Sequence, residues 1–208
     1  EKNIEPFAII LKKIQIYKTI GNWKEALKIC RENLAHFKFK KTSEFHFLFS
    51  FNIADIYFHQ SNYLLSIKQL LLLLKYAEYK NDHSKNMEIL GLLCLNYYES
   101  GNPNKAEINA TEYFEISKNS DVEINFAKAN EYLGLVEKSR GNFRIAIEYY
   151  QKSFKLYQIL GDKFKSAILL NRIGINYYSM SEYSHALEYY QKCKTLTEKN
   201  GDIREYIN

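Results

Sequence analysis

The chain has 208 residues, of which 46% are hydrophobic and 25% charged, enough apolar material for a continuous core and too much for a disordered segment. Only 2 prolines and 8 glycines occur in it, which speaks against a sandwich or barrel built from many short turns and favours helices. The net charge of +5 is spread without any block of like charges, and lysine outnumbers arginine 24 to 5, so neither a nucleic-acid footprint nor a phosphate site is indicated.

In chain order, the tripeptides Gly21-Asn22-Trp23, Ser61-Asn62-Tyr63, Gly101-Asn102-Pro103, Gly141-Asn142-Phe143 and Ser181-Glu182-Tyr183 recur every 40 residues. Each is followed by a small residue (Ala26, Ser66, Ala106, Ala146, Ala186) and preceded by Tyr17, Tyr57, Tyr97, Glu137 or Tyr177 in the same register. Between them, apolar residues recur at three and four, the spacing of a helix with one buried stripe. The pattern predicts helix pairs at 3–19 and 23–38, 44–60 and 63–79, 84–100 and 104–118, 122–140 and 143–160, 163–180 and 183–199. Gly or Asn in the tripeptide suits the left-handed residue that closes a helix. A second break ends in Asp82, Asp121, Asp162 and Asp202, each placed to cap the helix that follows. Small residues at Ala54, Gly134, Gly174, Ala146 and Ala186 let the two helices of a pair approach closely, antiparallel.

The run Asn171-Arg172-Ile173-Gly174-Ile175-Asn176-Tyr177-Tyr178, then Ala186-Leu187-Glu188-Tyr189-Tyr190-Gln191-Lys192 and Gly201-Asp202, resembles a tetratricopeptide repeat. The unit from Asn130 to Asp162 matches in the same way through Leu133-Gly134, Gly141-Asn142-Phe143, Ala146 and Tyr150, and the first unit departs furthest, with Lys13-Ile14 where Leu-Gly is usual. A 40-residue unit is similar to the long-helix subclass found in cell-polarity adaptors and bacterial peptide-sensing regulators and sensor kinases. Each helix is then longer than usual by roughly one turn, about 5 Å, and the groove correspondingly wider. The resemblance implies an all-α, right-handed superhelical solenoid of five antiparallel helix pairs, with repeats at about 3–42, 43–82, 83–121, 122–162 and 163–202. Residues 203–208 read as the start of a further helix, so the chain reads as one solenoid domain from a larger protein.

Such arrays present a concave face lined by the first helices. With Gly134 as reference, that face takes the positions six and three before it and one, four and five after it. In the first repeat these are Ala8, Leu11, Gln15, Lys18 and Thr19. The candidate groove is Phe51, Asp55, Phe58, His59, Tyr98, Glu99, Glu131, Lys138, Asn171 and Tyr178. Phe51, Phe58 and Tyr98 would be rigid apolar anchors, with the charged and amide groups fixing orientation. Phe51 and Phe58 suit packing as well as binding, since a shift of one position in helix phase exchanges the two roles. The resemblance implies a peptide-backbone contact for Asn171. The two-carboxylate clamp of co-chaperones is disfavoured, because Leu11, Gln15, Phe51 and Asp55 stand at its positions.

Chemistry is not expected. No GxGxxG, phosphate loop, GxSxG or HExxH occurs, and His36, His46, His59, His83 and His185 show no metal-ligand spacing. Cys30, Cys94 and Cys193 form no CxxC pair and fall on core-facing positions, so neither a disulfide framework nor a zinc site is suggested and a reducing, cytoplasmic compartment fits best. The longest apolar run, Leu70 to Leu74, is far below the roughly 20 residues of a membrane span. No cofactor, metal, membrane or nucleic acid is therefore expected. The function expected is a non-catalytic scaffold binding a peptide segment of a partner protein; the alternative is a peptide-sensing or dimerising sensor domain of a bacterial transcriptional regulator or sensor kinase. Self-association as a homodimer is compatible with both, because a terminal helix of an array exposes apolar surface.

Overall fold

A computed structural model of the chain describes residues 4–36, 44–79, 81–119 and 122–198. All regular structure among the described residues is helical: α1 (Ile4–Thr19), α2 (Trp23–His36), α3 (Glu44–His59), α4 (Tyr63–Tyr79), α5 (His83–Glu99), α6 (Pro103–Lys118), α7 (Glu123–Ser139), α8 (Phe143–Ile159), α9 (Lys163–Ser179) and α10 (Tyr183–Glu198). Every described terminus falls within two residues of the expected one. The chain forms two compact units, Glu1–Ser100 and Gly101–Asn208.

In the first unit, α1 packs on α2, α2 on α3, α3 on α4 and α4 on α5. Its core has two clusters: Ile14, Ala26 and Cys30 with Phe49, Ile53 and Ile56, and Phe47, Ala54, Leu70, Leu73 and Ala77 with Ile89, Leu92 and Leu93. In the second unit, α6 packs on α7, α7 on α8, α8 on α9 and α9 on α10. Ala167, Leu170 and Cys193 anchor its last pair, beneath Phe154, Phe164, Tyr189 and Leu196.

The recurring small residues do what their register requires. Ala26, Ser66, Ala106 and Ala146 are fully buried and Ala186 nearly so, since a larger side chain there would hold the helix axes apart. Where the small residue is polar it finds a partner: Ser66 Oγ donates to the Ala54 carbonyl at 2.8 Å. The same bridge recurs further along second helices, from Ser153 Oγ to Ala127 O at 2.8 Å and from Cys193 Sγ to Ala167 O at 3.3 Å.

The turns close by one device. The first tripeptide residue is left-handed in every copy, Gly21 at φ 71°, Ser61 at 57°, Gly101 at 73°, Gly141 at 80° and Ser181 at 62°. The following N–H then reaches back to a carbonyl five residues earlier, Asn62 to Tyr57 at 2.8 Å and Glu182 to Tyr177 at 2.9 Å, so the helix end leaves few carbonyls unpaired. Serine does this work in two of the five copies.

At the second break, Asp82 accepts from the Lys85 N–H at 3.0 Å and Asp162 from the Lys165 N–H at 2.9 Å, as expected of caps. The break between these two differs. Asp121, expected to cap α7, lies outside the described residues, as does Asp202, and the N-cap position of α7 is Val122, which supplies no side-chain bond. The spacing explains it: Asp121 stands 39 residues after Asp82 and 41 before Asp162, one residue early in a frame of 40. The expected further helix at 203–208 also lies outside the described residues.

Candidate functional site

In the first unit the expected groove positions of α1 and α3 converge on Asp55. Its carboxylate pairs with Lys18 of α1 and lies 3.6 Å from His59 Nε2, one turn along α3. Lys18 Nζ also donates to Asn52 Oδ1 at 3.2 Å. The His59 ring stacks on the indole of Trp23 at 5.1 Å and 10°. Phe58 meets His59 edge-on at 5.4 Å and Tyr63 at 6.0 Å. The side chains of Lys18 and Asp55 are recessed, 15% and 19% exposed, whereas His59 is 47% open. The result is a recessed ion pair beside the exposed His59 ring, able to take a flat side chain on that ring and a backbone amide on the carboxylate.

Phe51 and Phe58 are half-buried and pack, with Leu48, against the α3–α4–α5 cluster. Phe51 runs nearly parallel to Phe47 at 6.0 Å. Both rings thus brace the core and keep an open edge, because their positions sit at the boundary of the buried stripe. On α5, Tyr98 is half-buried and Glu99 exposed.

In the second unit, Glu131 is 4% exposed and held by Arg172 Nη1 at 2.7 Å and Lys165 Nζ at 3.3 Å, both from α9. It acts as an internal counter-ion between two first helices and is not presented to solvent. Arg172 also lies 5.9 Å over the Tyr150 ring. Behind them the Tyr157 hydroxyl is buried, and burial first, then the charges of Glu131 and Asp162, pushes its pKa well above the ordinary tyrosine value. With Glu131 covered, the open charges of this face are basic: Lys165 and Arg172 are 33% and 25% exposed, beside half-buried Lys138 and Asn171. Tyr178 is 60% exposed and meets Tyr183 edge-on at 5.4 Å.

Reading the sequence alone singled out Lys18 but missed Trp23, Asn52, Lys165 and Arg172. Trp23 stood in view as the aromatic of the first tripeptide. The α9 pair was visible only as two cations seven residues apart, about two turns on one face.

Cys30, Cys94 and Cys193 are buried thiols. Burial pushes Cys30 and Cys94 up to about 12, so neither carries the thiolate that nucleophilic chemistry needs. Among the described residues no group of three metal-ligating side chains gathers, and no helix is long and apolar enough to cross a membrane.

Residues 125–199 match the tetratricopeptide repeat family. No curated protein sequence matches the chain. Among solved structures, it is similar to a Rap protein complexed with competence and sporulation factor, at a TM-score of 0.82 and 14% identity over 94% of this chain and 55% of that one. It is similar to the tetratricopeptide-repeat sensor protein of the signal-transduction ATPase class from Pyrococcus horikoshii, at 0.77 and 22% identity over 95% of this chain and 30% of that one. It also resembles kinesin-light-chain repeats from Podosopora anserina, at 0.75 and 11% identity, over 94% and 96% of the two chains. At such identities the likeness is one of fold. The described residues form an all-helical array like those of the tetratricopeptide-repeat structures it resembles, and the family match falls on α7 to α10. It spans about half the length of the Rap protein it resembles.

Proposed function

We propose that the protein is a non-catalytic interaction module that holds a peptide segment of a partner protein on the first-helix face of each unit. The observation that carries this reading is the Asp55 cluster. A charge pair between Lys18 and Asp55, recessed beside the open His59 ring that stacks on half-buried Trp23, is a costly surface to build for packing alone, and it offers one apolar and one polar anchor side by side. In the first unit Phe51, Phe58, Tyr98 and Glu99 extend it. In the second unit Lys138, Asn171 and Tyr178 serve, with Glu131 acting through Arg172 and Lys165. The basic tilt of that second face suits acidic side chains or a peptide carboxylate.

The test is affinity capture with the full chain against two variants, His59→Ala with Tyr98→Ala, and Asn171→Ala with Tyr178→Ala. All four side chains are at least partly open, so helical circular dichroism should be unchanged while the captured partner is lost. Capture that survives both variants overturns the assignment.

A second reading, a short-peptide sensor within a bacterial regulator, is favoured by the likeness to a Rap protein solved with competence and sporulation factor. Trp23 is the single tryptophan and stacks on His59, so its fluorescence reports directly on that cluster. A saturable change on titration with short synthetic peptides supports this reading. A response only to a folded partner supports the scaffold.

A further inference from the structure

The outer surface of α4 differs from that of the other second helices. Among residues 63–77 of α4, the exposed ones are Leu64, Leu65, Lys68, Leu71, Leu72 and Lys75. The four leucines are 78%, 41%, 42% and 60% exposed. At the same registers α2 has Lys24, Glu25, Arg31 and Glu32; α6 has Asn104, Lys105, Thr111 and Glu112; and α10 has Ser184, His185, Gln191 and Lys192. In α8 they are Arg144, Ile145, Gln151 and Lys152, with Ile145 the one apolar residue among these counterparts. The fold therefore places no demand for leucine at these registers. The inner side of α4 already supplies the core through Leu70, Leu73 and Ala77.

Leu64 and Leu71, and Leu65 and Leu72, are each seven residues apart, with Lys68 and Lys75 following at the same interval. Two columns of leucine and one of lysine on a seven-residue repeat form a helix-pairing seam with a cation at every third seam position. A second copy of the chain paired in parallel through the same seam would set Lys68 and Lys75 against their own counterparts, like charge against like. A membrane-lying helix has a broad apolar arc with its cations on the opposite side, whereas these lysines sit inside the stripe.

We infer that the outer face of α4 is a second docking surface, for an amphipathic helix of a partner protein that sets carboxylates opposite Lys68 and Lys75. It stands apart from the first-helix faces, and its test is independent of theirs. The leucines supply the apolar anchors and the lysines select the partner and fix its register.

The experiment is fluorescence anisotropy on the full chain with a labelled helical peptide of three heptads, leucine in two seam columns and glutamate in the third. A matched peptide carrying lysine in that third column serves as control. The glutamate peptide should bind and the lysine peptide bind at least about tenfold more weakly. Lys68→Glu with Lys75→Glu should reverse that order, and Leu64→Ser with Leu72→Ser should abolish both. All four sites are exposed, so circular dichroism should be unaltered. Three outcomes overturn the proposal: equal or absent binding of both peptides, a dimer in sedimentation that Leu72→Ser dissolves, or leucine-dependent capture by phosphatidylserine vesicles.

Discussion

The ring of Tyr150 lies so close to the backbone of Gly134 that a Cβ on the glycine would stand 2.5 Å from Cε1 and 2.7 Å from Cδ1. Gly174 and Tyr190 repeat the arrangement at 2.5 Å and 2.8 Å. Two of the three preceding copies fill the same position with other sizes, Ile14 beside Cys30 in one cluster and Ala54 beside Leu70 in the other. In these and in the two glycine copies, bulk given up by the first helix is taken by the second.

Gly134→Ala should therefore cost about 1–3 kcal/mol, the usual range for overpacking. Gly174→Ala should cost less, because Tyr190 is half-buried and can swing outward whereas Tyr150 is fully buried. Adding Tyr150→Leu to Gly134→Ala recreates the Ala54–Leu70 pairing and should recover part of the loss. Urea denaturation of the three variants measures each step. Equal costs at the two glycines would show that the ring is not the obstacle.

The cap position of α7 is held by Val122, which carries no side-chain oxygen. Val122→Asp or Val122→Ser supplies the oxygen that Asp82 and Asp162 supply elsewhere, and should stabilise by about 1 kcal/mol. A denaturation midpoint at or below that of the parent would refute the cap argument.

Ser61 and Ser181 occupy left-handed backbone at φ 57° and 62°, where a Cβ crowds the following carbonyl. Ser61→Gly and Ser181→Gly relieve that crowding, partly offset by a more flexible unfolded chain, and each should raise stability by about 0.5–1 kcal/mol. The same change at Gln60, which lies within the turn but not at positive φ, should destabilise.

Acid should act through Asp82. The Lys85 ammonium donates to it at 2.7 Å, and that bond first, then the Lys85 backbone N–H, holds its carboxyl below the usual 3.8. The folded state thus binds the proton less readily than the unfolded one. The stabilisation is complete above 3.8 and disappears as pH falls through the lowered value. Asp82→Asn keeps a capping oxygen without the charge. Its melting temperature should start slightly below that of the parent and fall less steeply under pH 3.8.

Arg172→Met should leave buried Glu131 with Lys165 alone, at a cost of about 2–4 kcal/mol. Glu131→Leu with Arg172→Met removes both charges and should restore most of it. A double variant as weak as the single one would place the cost in packing and not in the stranded carboxylate.

The helices were legible because a 40-residue frame repeats their local signals five times, so one ambiguous end is corrected by its copies. The α7 cap was not, since the sequence offers Asp121 and only backbone phase shows Val122 in the cap position. The groove was legible in register but not in exposure. Glu131 looks like any helix-surface acid until Lys165 and Arg172, 34 and 41 residues further on, fold over it. Phe58 and His59 could be placed on α3, yet their orientation depends on Trp23 and Tyr63, which reach them from neighbouring turns. The leucines of α4 gave no separate signal, because buried and exposed leucines adjoin in one run.

The trade of bulk between Gly134 and Tyr150 bears on how such a chain grows and recombines. A crossover at the turn within a pair, near Gly141, would hand α7 a stranger's second helix and set, for instance, Leu70 of α4 over a glycine with a void between them. A crossover at the breaks near Gly161 or Asn81 moves each ring together with the gap it fills. The heritable block is the helix pair, and duplications framed on that block are the ones that arrive already packed.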